Sequence, residues 1–302
     1  MTPSFIALDW GTSSFRAYLV GSDGAVLETR ADAGGILLIA GGAFEAAFEK
    51  HVAGWDVALP VLASGMITSR QGWVELPYAQ TPAGLPDLAA AVRRLRTVGG
   101  REIVFVPGVS FRPQGGAPDV IRGEETQILG ASDAGDGMYV SRGTHCKWIE
   151  VKGGRIERFA TFMTGEMFAV LKEHSILGRL MTLGDAGGDG FELGVRAGLN
   201  ERDGSGGLLH MLFSARTLGL FGDLNGDQIA PYLSGLLIGA EIAGARAMFA
   251  PGTRPITVIG STALAAPFTL ALKLAGLNSQ LAPEDAAVRG LAKIGKQIGV
   301  IA

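Results

Sequence analysis

The sequence predicts an α/β chain of two domains, each headed by a β-hairpin, and three observations carry that expectation. First, a polar turn over 9–14, Asp-Trp-Gly-Thr-Ser-Ser, interrupts two apolar runs of strand character. Second, the pattern of strand, Gly-Thr turn, strand, Gly turn, strand recurs over 138–156. Gly11-Thr12 and Gly21 superimpose there on Gly143-Thr144 and Gly153 at a constant spacing of 132 positions, 11 to 143 and 21 to 153. Third, helix-like and strand-like segments alternate behind each hairpin. A duplicated unit implies domains over 1–132 and 133–302, a boundary near 130–137 and a cleft between the halves.

The elements follow from apolar periodicity and its interruptions. Behind the first hairpin the pattern predicts a helix over 43–53, a strand over 58–63, a helix over 86–97, a strand over 103–106 and a helix over 119–131. Behind the second it predicts helices over 165–173, 190–198, 208–218 and 229–249, a strand over 256–259 and a closing helical region. The glycine-rich segments 184–190 and 204–207 read as loops. The apolar stretch 232–250 contains Glu241 and Arg246, which favours a buried helix over a membrane span.

Composition narrows the function classes. With 302 residues, 47% of them hydrophobic, the chain is long enough for two sizeable cores. A formal charge of −3 with dispersed Lys and Arg gives no electrostatic footprint for nucleic acid, so neither nucleic acid nor membrane is expected as a partner. The single cysteine, Cys146, excludes an intrachain disulfide and suits a reducing compartment. No targeting signal opens the chain, and a cytoplasmic location is the expectation. Homo-oligomerisation stays open.

The 9–14 turn carries chemistry of its own. Backbone N–H groups and the small hydroxyls of Thr12, Ser13 and Ser14 suit phosphoryl oxygens, while Asp9 at the strand end offers a hard oxygen to Mg²⁺. An ordinary surface hairpin is the competing reading, because the same residue types dominate plain turns. His145 and Lys147 flank the second Gly-Thr turn. Four scattered histidines form no metal-ligand spacing, so phosphate contact by Thr144, His145 or Lys147 is favoured over metal ligation.

Asp-x-Gly-Thr on a hairpin, a second Gly-Thr turn at mid-chain and a later strand ending at Gly260-Ser261 resemble the sugar-kinase, heat-shock chaperone and actin superfamily. Six strings narrow the resemblance to the 2-keto-3-deoxygalactonate kinase family. They begin at Asp9 (DWGTS), Ser64 (SGMITSRQGW), Ile121 (IRGEETQ), Gly143 (GTHCKW), Phe162 (FMTGE) and Tyr232 (YLSGLLIGAE). Two departures accompany them: Cys146 stands where the family usually has Ser, and Ser141-Arg142 where Leu-Pro is common.

What the resemblance implies is a two-domain, actin-like ATPase (ribonuclease H-like) fold and a kinase that uses ATP and Mg²⁺ to phosphorylate the terminal hydroxyl of 2-dehydro-3-deoxygalactonate. On that reading Asp9 anchors Mg²⁺. Gly11, Thr12, Ser13, Ser14, Gly143, Thr144, His145 and Lys147 meet the phosphates, and Gly260 and Ser261 the adenosine. Glu124 or Glu125 is the general base; adjacent helical residues point about 100° apart, so only one faces the substrate. Asp119 is an outside candidate. The sugar acid is held by Arg16, Ser64, Gly65, Met66, Arg70, Trp73 and Arg122, with Arg70 on its carboxylate and Trp73 on its carbon face. Thr164, Gly165 and Glu166 form either a helix cap or an edge of the nucleotide site. A kinase for another sugar acid or hexose, an actin-like phosphohydrolase and a nucleotide-dependent regulator are the alternatives.

Overall fold

A computed structural model describes residues 2–183, 189–200 and 206–301. The greater part of each glycine-rich segment expected as a loop, 184–188 and 201–205, lies outside the described residues. The chain divides into two compact units: residues 1–136, 151–159 and 283–302 form the first, and 137–150 with 160–282 the second.

A six-stranded sheet organises the first unit. Pro3–Trp10 pairs antiparallel with Phe15–Gly21, and that strand with Val26–Asp32. On its other edge Pro3–Trp10 runs parallel to Val61–Ser64, which runs parallel to Glu102–Phe105. Phe5, Ile6, Ala7 and Leu8 are all buried, so the central strand is apolar on both faces and reads as a continuous hydrophobic run. Trp10 packs edge-on against Phe15 at 4.9 Å and Phe44 at 5.9 Å, tying the strand end to the helix Phe44–His51.

A second, five-stranded sheet repeats this order. It runs Arg155–Phe162, Cys146–Lys152, Gly137–Ser141, Ile256–Ile259, Ser279–Leu281, so the first hairpin strand is again extended by parallel neighbours. The helix predicted over 229–249 runs Gly226–Phe249 and packs on Asp189–Leu199. Among the described residues no helix is long and apolar enough to cross a membrane.

Three helix expectations are corrected. The segment 86–97 holds only the short helix Leu85–Ala90; Arg93–Arg96 is instead an edge strand antiparallel to Glu102–Phe105. The turn that closes this hairpin, with Thr97 N–H donating to the Arg101 carbonyl, outweighs the helix propensity of the arginines. The segment 119–131 splits into a strand, Asp119–Ile121, and the helix Glu124–Gly130, because Gly123 adopts φ +110° between them. The segment 208–218 is two helices, Gly207–Leu212 and Ser214–Phe221.

Within the first unit, Glu124–Gly130 lies against the helix Ala286–Gln297 at van der Waals limits: a Cβ on Gly290 would stand 1.8 Å from the Thr126 carbonyl oxygen. Gly290→Ala is therefore expected to cost about 2–3 kcal/mol, the scale of an overpacked core. A urea midpoint equal to that of the wild type would show that the helices part at no cost.

Candidate active site

The first turn is closed by Gly11 N–H donating to the Ser14 carbonyl at 2.9 Å. Its own carbonyls are engaged from behind, where Ile36 N–H donates to Gly11 at 3.0 Å and Leu37 N–H to Thr12 at 3.3 Å. The N–H groups and hydroxyls of Thr12, Ser13 and Ser14 have no partner among the described residues, and Thr12 and Ser13 are exposed. Three N–H groups left free on one exposed turn are donors suited to an anion.

Asp9 lies one strand position from that turn, paired in register with Ser64 on one side and Arg16 on the other. Arg16 approaches its carboxylate at 3.7 Å. Gly65 follows Ser64 at φ +94°; a Cβ there would meet the Trp10 carbonyl at 2.8 Å and the Asp9 carboxylate at 3.3 Å. Gly123, at φ +110°, packs in turn on Gly65. Two glycines in the left-handed region thus bring Glu124 toward Asp9. Burial raises the Asp9 carboxyl above the usual range; Arg16 opposes that and Glu124 adds to it.

Glu124 and Glu125 are separated by their surroundings. Glu125 is fully buried, and both its oxygens accept the Gly123 N–H, at 2.9 and 2.7 Å. Burial, with the neighbouring Glu124 charge, pushes its carboxyl up to about 8. Glu124 is half-buried and accepts the Arg122 N–H at 2.9 Å. Ser64 and Thr126 hydroxyls meet at 3.3 Å beneath them.

The loop after Gly65 is fastened by Arg122, whose guanidinium donates to the Thr68 carbonyl at 2.5 Å, the Thr68 hydroxyl at 2.6 Å and the Leu76 carbonyl at 3.2 Å, and covers the Tyr78 ring. Met66 is half-buried against the first-unit core. Trp73 packs between Phe48 and Phe105. Arg70 is exposed, with no partner among the described residues. Asp119 stands on the exposed end of its strand, its carboxylate accepting the Val120 N–H.

In the second unit the turn 143–145 repeats the arrangement. The N–H groups of Gly143, Thr144 and His145 have no partner among the described residues, and all three residues are exposed. His145 is bonded to Glu166, and Glu166 N–H donates to the Thr144 carbonyl at 3.0 Å. Lys147 is buried, its ammonium donating to the His145 carbonyl at 2.9 Å, so it braces the turn from within. Behind it Arg142 bonds Glu241 at 3.2 Å and Cys146 at 2.5 Å, and Trp148 donates to Glu241 at 2.9 Å. Gly260, at φ +145°, ends its strand beside Arg142, and exposed Ser261 precedes the helix Thr262–Leu274.

Sequence reasoning missed Gly35, which backs the first turn, and the Arg142–Glu241 pair. The glycine-rich run 34–35 was the only signal for the former; nothing local marks a pair 99 positions apart.

Comparison with known proteins places this geometry. The profile of the 2-keto-3-deoxy-galactonokinase family matches residues 9–294. A Rhizobium meliloti (strain 1021) protein named "Probable 2-dehydro-3-deoxygalactonokinase" is 37% identical over 290 residues, 94% of each chain. The Escherichia coli (strain K12) 2-dehydro-3-deoxygalactonokinase is 34% identical over 289 residues, 95% of each. A crystal structure of a candidate 2-dehydro-3-deoxygalactonokinase from Sinorhizobium meliloti superimposes with a TM-score of 0.88 at 37% identity, covering 97% of this chain and 99% of that one. Component A of the (R)-2-hydroxyglutaryl-CoA dehydratase of Acidaminococcus fermentans shares the fold at 12% identity, TM-score 0.55, over 99% of this chain and all of that one. The actin-like fold expected from the sequence is thereby established.

The Glu125 carboxyl sets a pH dependence. The folded protein keeps this proton up to about 8, whereas the unfolded chain releases it near 4.5, so Glu125's own contribution to stability is fully present below 4.5 and is lost as pH rises toward 8. The melting temperature is expected to drop between pH 5 and pH 8, and Glu125→Gln to flatten that slope. Parallel slopes in the two proteins would remove Glu125 as its source.

Proposed function

The chain belongs to the 2-keto-3-deoxy-galactonokinase family, and on that premise we propose that it transfers the γ-phosphoryl group of ATP to the terminal hydroxyl of 2-dehydro-3-deoxygalactonate. The product is the 6-phosphate, in galactonate breakdown. The single observation that supports phosphoryl transfer in this chain is the pair of Gly-Thr turns, each carrying unpartnered N–H groups. Such donors match the oxygens of a polyphosphate, and positioning with charge stabilisation is nearly all that phosphoryl transfer requires. The reading includes domains over 1–132 and 133–302 and a cytoplasmic site of action.

Mg²⁺ fits the first unit on charge grounds. Asp9 and Glu124 repel one another, and Arg16 at 3.7 Å is the cation opposing them on Asp9. Asp9 would hold Mg²⁺; when bound, the ion neutralises charge developing on the phosphoryl oxygens. Thr12, Ser13 and Ser14 orient the phosphates of the first turn, and Gly143, Thr144 and His145 those of the second. Gly260 and Ser261 take the adenosine.

Glu124 is the proposed base. A base must touch the substrate hydroxyl, and Glu125 is enclosed and bonded to Gly123 while Glu124 is half-buried near Asp9. The hydroxyl oxygen bonds to the γ-phosphorus, the bond to the bridging oxygen of ADP breaks, and Glu124 accepts the proton. Arg70, exposed and unpartnered, is the fork for the sugar-acid carboxylate. Arg122 contributes by holding the loop that carries it. Trp73, buried on one side by Phe48 and Phe105, offers its remaining face to the sugar.

Two outcomes test this. A coupled ADP-release assay over a panel of sugar acids and hexoses should show turnover with 2-dehydro-3-deoxygalactonate; activity confined to hexoses, or hydrolysis without acceptor, would contradict the proposal. Glu124→Gln should lower kcat by about 10²–10⁴-fold, the usual worth of general-base catalysis. Glu125→Gln should lower it far less; the reverse order would transfer the role.

A further inference from the structure

Gly35 has φ −62° and ψ 168°, a conformation open to any residue, so its backbone does not demand glycine. Its surroundings do. A Cβ there would lie 2.3 Å from the Ser13 Cα and the Thr12 carbonyl oxygen, and 2.4 Å from the Ser13 nitrogen. The next two residues, Ile36 and Leu37, donate their N–H groups to the Gly11 and Thr12 carbonyls. Gly34, just before, accepts from the Trp10 indole at 2.9 Å. The segment is thus pressed without a side chain against the rear of the turn whose N–H groups face outward.

The second unit holds the same device. A Cβ on Gly165 would meet the Gly143 carbonyl at 2.7 Å and the Thr144 Cα at 3.0 Å, and the following residue, Glu166, donates its N–H to the Thr144 carbonyl. In both units a glycine touches the turn backbone and its successor's N–H takes a turn carbonyl. Engaging a carbonyl from behind fixes the peptide plane, which fixes the direction of the N–H on its other side.

We propose that Gly35 and Gly165 are positioning residues, each a strut that aims the N–H groups of its own unit's Gly-Thr turn at phosphate oxygens. This rests on the kinase reading, because the phosphate ligand comes from it. A methyl group on either strut displaces the turn by a large fraction of an ångström, enough to misdirect hydrogen bonds that weaken steeply with angle.

The test is calorimetric binding of a non-hydrolysable ATP analogue with Mg²⁺ to the full chain and to Gly35→Ala, Gly165→Ala and Gly252→Ala. The last has open space around its Cβ position and serves as the control. Each strut variant should bind about tenfold or more weakly, with kcat and KM for ATP both changed, and Gly252→Ala should bind as the wild type does. Amide hydrogen exchange in the wild type guards against misfolding of the variants: nucleotide should slow exchange at Ile36, Leu37 and Glu166, whose N–H groups point at turn carbonyls and not at ligand. Wild-type affinity in both strut variants, or exchange at those three amides unmoved by nucleotide, overturns the inference. A wild-type chain that binds no nucleotide overturns the kinase reading itself, and the struts with it.

Discussion

The backbone N–H groups of the two Gly-Thr turns, which have no partner among the described residues, are the constraint on which this structure turns. A buried chain pairs such groups internally, whereas an exposed turn leaves them to solvent or ligand. In the first unit the strand pair Pro3–Trp10 and Phe15–Gly21 ends at Gly11 and Ser14, and the segment from Gly35 occupies the carbonyls behind. The sheet, buried on both faces at its centre, supplies the rigidity. The second unit reaches the same end with Gly143–His145, Glu166 and the buried Lys147.

Charge is disposed around these donors with a definite asymmetry. The first unit sets two carboxylates, Asp9 and Glu124, beside its turn. The second unit sets an internal network behind its turn instead. Glu241 accepts from Arg142 and Trp148, and Arg142 also meets Cys146, whose buried thiol is pushed up to about 11. Of the departures that accompany the family resemblance, Cys146 and Ser141-Arg142, the side chains of Arg142 and Cys146 are in contact.

The parts legible in the sequence were those written locally. A Gly-Thr turn between apolar strands, its recurrence 132 positions on and the long helix now seen as Gly226–Phe249 all declare themselves over short windows. The edge strand Arg93–Arg96 did not, because three arginines look helical until the hairpin that pairs them is known. Gly35 was silent because its partner is a turn more than twenty residues earlier. Arg122 read as a substrate contact, yet its guanidinium is occupied by Thr68 and Leu76, a use that only the folded loop reveals. The two glutamates were indistinguishable in sequence; burial separates them.

The central claim is that the free N–H groups of each Gly-Thr turn are phosphate donors. Amide chemical shifts of the isotopically labelled chain, followed as a non-hydrolysable ATP analogue and Mg²⁺ are added, address it directly. The account predicts that the largest shifts fall on Thr12, Ser13 and Ser14 in the first unit and on Gly143, Thr144 and His145 in the second. Saturation with either set unmoved would contradict it.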